Sequence, residues 1–70
     1  MDREWLKELI ETHGDVEILI SGERWVIFTW DQENLILHNQ DTQEDRIYNG
    51  AEALIESLGD LSKIKFVDCA

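Results

Sequence analysis

The side chains able to do chemistry in this chain are two imidazoles, one thiol and sixteen carboxylates. Nucleophilic catalysis needs a nucleophile, a base within hydrogen-bond reach and a group that orients the base. His13 and His38 stand in no Ser/His/Asp-like pattern. His13 falls at the C-terminal end of a helical segment, where a cationic ring complements the negative end of the helix dipole. His38 closes a strand-like run and is expected to face solvent, and Cys69 is next to last in the chain. The glycines fall singly at turns and helix ends, so no glycine-rich phosphate loop is present. Zinc would need closely spaced Cys and His ligands, and "DQEN" and "DTQED" lack the spacing and central glycine of a calcium loop. The chain is expected to be no enzyme and to hold no metal and no cofactor.

The carboxylates remain. Sixteen acids against six bases give a formal charge of −10. Such a surface repels nucleic acid and anionic membranes, whose binding depends on cationic side chains. Its complement is a basic protein surface or a cation. On an exposed strand, residues i and i+2 project on one side roughly 6.6 Å apart, a spacing close to that of successive phosphates along a nucleic acid strand. Asp15 and Glu17 have this spacing, as do Asp31 and Glu33 if their turn is extended. Asp41, Glu44 and Asp45 follow in the next loop. A row of these carboxylates is expected to imitate a phosphate track and enter a basic groove. The plainer alternative is that turns are polar and acidic surfaces aid solubility. Trp25 and Trp30 lie five apart, an odd number that puts them on opposite faces of a regular strand. One or the other is expected to serve as an apolar anchor at an interface, or to sit in a small cluster beneath a loop.

Hydrophobic periodicity marks out the helices and strands that carry these residues. Trp5, Leu6, Leu9 and Ile10 form one apolar stripe of a helix over about residues 3–13, with Asp2 as cap, Gly14 as stop and Trp5 in the core. "DVEILI" alternates as a strand, "SGER" turns, and "RWVIFTW" is β-prone and apolar on both sides, which predicts a central strand. "DQEN" turns into "LILH", completing an antiparallel meander. "NQDTQED" reads as a loop and "RIY" as a short fourth strand. "NGAEALIESLG" reads as a helix with Asn49 and Glu52 in a capping box, Gly59 as its end, and Ala51, Leu54, Ile55 and Leu58 inward. "KIKFVDC" reads as a last strand or an extended tail, its lysines suited to a sheet edge.

Seventy residues without proline predict one domain, 1–70, of the α+β class: a two-layer fold with an antiparallel three- to four-stranded sheet and two helices on one face, in the order α-β-β-β-(β)-α-β. At this size burial only narrowly offsets conformational entropy, so a second copy or a partner could supply stability. A lone cysteine rules out an internal disulfide, and no apolar run is long enough to span a membrane. The N-terminus "MDREWLKELIETHG" is too charged for a signal peptide. A cytoplasmic protein, complete from Met1, is expected.

In size, acidity, lack of a catalytic motif and helix-plus-meander layout, the chain resembles small phage-encoded inhibitors of the anti-CRISPR and DNA-mimic type. The resemblance lies in the character of the whole chain and carries over no individual residue. It implies a non-enzymatic inhibitor in a host cell's cytoplasm. The implied partner is a basic nucleic-acid-binding protein such as an RNA-guided nuclease, whose nucleic acids lie in positively charged channels. The expected contacts are Asp31, Glu33, Asp41, Glu44 and Asp45, then Asp15 and Glu17, with Trp25 or Trp30 as anchor. The alternative is a structural or regulatory domain that self-associates through its sheet as a homodimer.

Overall fold

The computed structural model describes residues 1–69. Helix α1 spans Arg3–His13; the Asp2 carboxylate accepts a hydrogen bond from the Glu4 backbone N–H at 3.3 Å and so caps its start. Gly14, at φ +86°, ends it by donating its N–H to the Ile10 carbonyl. Strands β1 (Val16–Ile20) and β2 (Glu23–Thr29) form a hairpin around Ser21 and Gly22. Both turn residues have positive φ, the twist a two-residue hairpin turn requires. Strands β3 (Asn34–Asn39) and β4 (Asp45–Asn49) continue the meander, α2 covers Ala51–Leu58, and a 3-10 turn at Leu61–Lys63 leads into β5 (Ile64–Cys69).

The five strands form one open antiparallel sheet in the order β4-β3-β2-β1-β5. The α+β class and the α-β-β-β-β-α-β order stand as expected, but the sheet has five strands, not three to four, because "RIY" is part of a full strand and "KIKFVDC" pairs with β1 as an edge strand. β2 is central, matching its apolar character on both sides. Both helices pack on one face. Leu6 and Ile10 of α1 and Leu54 and Ile55 of α2 meet Val16, Ile18, Trp25, Ile27, Leu35, Leu37 and Ile64, which alternate along their strands. Arg3–Glu56 and Lys7–Glu52 bridge the helices at 3.6 and 3.1 Å, exposed pairs that fix orientation more than they stabilise.

The structure corrects four local expectations. Trp5 lies at the flank of its stripe, 43% exposed, packed edge-on against Phe66 with ring centroids 5.3 Å apart. Asn49 does not cap α2: the chain is still in β4 there, Gly50 at φ +94° makes the corner, and no side chain caps the helix. His38 is only partly exposed, because it is bonded to Asp45 across the β3–β4 pair. The 31–33 turn is folded, not extended. Asp31 Oδ1 accepts from the backbone N–H groups of Glu33 and Asn34, both at 2.8 Å.

Candidate protein-binding face

The second face of the sheet has no helix over it, and strand register decides what it shows. Pairing brings Asp45, His38, Val26, Glu17 and Asp68 into one row across all five strands. Ile47, Ile36 and Phe28 form the neighbouring row. Trp30, just beyond β2, extends this apolar patch and is 65% exposed; Ile47 is 63% exposed. On the other side, Arg24, Leu19 and Lys65 make a third row that carries the cations of the face. Successive strands are about 4.8 Å apart, so the acidic row spans roughly 19 Å from Asp45 to Asp68.

The acids of this face are unequally engaged. Asp45 bonds His38 Nδ1, and Asp68 accepts from the Cys69 N–H at 2.8 Å. Asp15, exposed just before β1, keeps the i, i+2 relation to Glu17. These two line a hollow together with Val26, Gln40, Asp68 and Cys69. The Phe28 ring stands 6.2 Å from the His38 ring, tying the apolar patch to the acidic row. The arrangement offers apolar contact bordered by charge, the pattern of a protein interface. Among the described residues no group of His, Cys, Asp and Glu is placed to hold a metal ion, and no helix is long and apolar enough to cross a membrane.

The expected contact residues separate. Six-residue β3 lies between the 31–33 turn and the 40–44 turn, about 20 Å at strand rise. The track from Asp31 to Asp45 is therefore not one row. Asp31 serves its own turn: the Asn34 side-chain amide first, then the backbone N–H groups of Glu33 and Asn34, hold its carboxyl below the usual carboxylate range. Asp41 accepts from the Arg24 backbone N–H at 3.0 Å. Glu44 pairs with Arg46 and, ahead of Tyr48, holds that guanidinium above its ordinary value. Glu33 is exposed at the first turn. Of the two tryptophans, Trp25 belongs to the core at 6% exposure, with the Arg46 guanidinium 5.2 Å from its ring, so Trp30 is the one at the surface.

Other residues of the face take their place only through strand register. Phe28, Ile36 and Ile47 were legible as alternating apolar residues, but without the register they could not be assigned to the helix-free side. Asp68 joins Glu17 because a bulge at Val67 shifts β5 by one residue. A second acidic surface also emerges: Glu4, Glu8 and Glu11, spaced to share one side of α1, lie exposed beside Trp5. Comparison of the chain with protein-family models, with curated proteins and with solved structures gave no match.

Proposed function

We propose that this chain is a non-enzymatic inhibitor that sets its open sheet face against a basic nucleic-acid-binding site and keeps nucleic acid out. Its class is that of the anti-CRISPR and DNA-mimic inhibitors, with an RNA-guided nuclease as target. One observation carries the reading. The face no helix covers joins an unburied apolar patch, Trp30, Phe28, Ile36 and Ile47, to a border of Asp15, Glu17, Asp45 and Asp68. Apolar anchors supply most of the energy of such contacts, while charge complementarity supplies steering and selection. A net charge of −10 adds long-range attraction to a positively charged channel.

The test titrates the chain into guide-loaded RNA-guided nucleases of several types and reads their binding to target DNA. Loss of DNA binding by at least one, relieved by salt, is the expected result. The triple variant Glu17→Gln, Asp45→Asn, Asp68→Asn should inhibit weakly. The variant Glu4→Gln, Glu8→Gln, Glu11→Gln, which neutralises the α1 surface, should inhibit like the parent chain. Unchanged DNA binding throughout the set contradicts the nuclease target, and the reverse ranking of the two variants moves the site to α1.

A further inference from the structure

An open sheet has two edges, and the two edges of this sheet differ. β5 is guarded: Lys65 lies within it, Lys63 precedes it, and the bulge at Val67 breaks its ladder. Lysines and bulges are the usual devices that keep a sheet edge from pairing with another chain. β4, the opposite edge, has no lysine, no proline and no bulge, and its central residue is the exposed Ile47.

The ladder shows which backbone groups of β4 are free to pair. Asn39 donates its N–H to the Glu44 carbonyl while its own carbonyl takes the Gln43 N–H of the turn, so Asn39 and Glu44 close the ladder at a bonded position through a single bond. Bonded pairs alternate in an antiparallel ladder, so Arg46 and Tyr48 turn their N–H and C=O groups toward β3. Asp45, Ile47 and Asn49 turn theirs outward. The sequence of this strand, "DRIYN", is also complementary to itself when reversed about Ile47. A second β4 laid antiparallel sets Ile47 against Ile47, Asp45 against Asn49, and Arg46 against Tyr48. No like charges meet, a carboxylate faces an amide, and a guanidinium faces an aromatic ring.

From these features we propose that the chain pairs with a second copy of itself, β4 to β4 about a two-fold axis through Ile47. The assembly has one continuous ten-stranded sheet, both helical layers on the same side and both open faces on the other. The row Phe28, Ile36, Ile47 joins its symmetry mate into a single apolar stripe across six strands. The pairing stands apart from the inhibitor reading and opposes it in salt dependence. Each copy carries −10, so screening of their mutual repulsion favours the pair, whereas a basic partner is released by salt.

Sedimentation equilibrium of the whole chain, with reductant present so that Cys69 cannot cross-link, tests the proposal. The mass is expected to rise from 8.2 kDa toward twice that value with protein concentration, and to do so at lower concentration as salt is raised. Ile47→Lys puts like charges face to face on the axis at an exposed position and should stay monomeric. Ile47→Pro removes an outward N–H and no bond to β3, and should do the same with an unchanged circular dichroism spectrum. In a Cys69→Ser background, Ile47→Cys should form an intermolecular disulfide on mild oxidation. A monomer at every concentration and salt, or a dimer that survives Ile47→Lys, overturns the pairing.

Discussion

Asn39 holds the β3–β4 turn from inside the protein. Only 1% exposed, it accepts through Oδ1 from the Asp41 N–H at 2.8 Å and the Thr42 N–H at 3.1 Å, and donates through Nδ2 to Glu23 at 3.2 Å. Asn39→Ala removes those partners and should cost about 1–3 kcal/mol in denaturant unfolding. The two sheet tryptophans should behave oppositely. Trp25→Ala empties a core position and should cost about 3–5 kcal/mol. Trp30→Ala should leave stability nearly unchanged and weaken partner binding by about 2 kcal/mol, roughly thirtyfold in Kd. Asp31 gives a pH signature. Its carboxyl is held below the ordinary value, so its contribution is present above the unfolded-state value and lost as pH falls through the lower folded-state value. Asp31→Asn should therefore lower the melting temperature at neutral pH and flatten the acid limb of the melting-temperature profile, as thermal melts at stepped pH would record.

At the scale of elements, the start of α2 separates two accounts of one corner. With Gly50 as the first cap residue and no side-chain cap, Asn49→Ala should change stability by no more than about 0.5 kcal/mol. A working capping box would lose about 1 kcal/mol. Gly50, at φ +94° and ψ 159°, holds a conformation nearly confined to glycine, so Gly50→Ala should cost about 1–3 kcal/mol despite open space around its Cα. Paired chemical unfolding curves for these variants decide between the accounts. The same corner shows why some elements were legible and others were not. α1, α2 and the β1–β2 hairpin announce themselves because their inward residues are aliphatic at the proper period. β4 is legible only as the short run "RIY", because its inward residues are Arg46 and Tyr48, while its aliphatic residue, Ile47, points away from the helices. Trp5 misleads because spacing identifies an apolar stripe but not which member lies at its margin. The site was legible as charge and as a surface tryptophan. Which carboxylates were already engaged was not, because their partners, Arg24 for Asp41 and His38 for Asp45, become neighbours only through strand pairing.

At the scale of the whole molecule, ten uncompensated negative charges on a 70-residue chain work against compactness. Salt should raise the melting temperature, and the gain should level off once the screening length falls below the distances between surface acids. Salt thus acts in three separable ways: it stabilises the fold, strengthens self-pairing at β4 and weakens attachment to a basic partner. The open sheet face is proposed to occupy a site made for nucleic acid. The most direct test is capture from a bacterial lysate on the immobilised chain, at low and high salt, with and without competing duplex DNA. Parent chain and the Glu17→Gln, Asp45→Asn, Asp68→Asn variant are compared side by side. The account predicts a nucleic-acid-binding protein retained at low salt by the parent chain, released by DNA and by salt, and not retained by the variant. No retained protein, or one indifferent to DNA, salt and the variant alike, would contradict it.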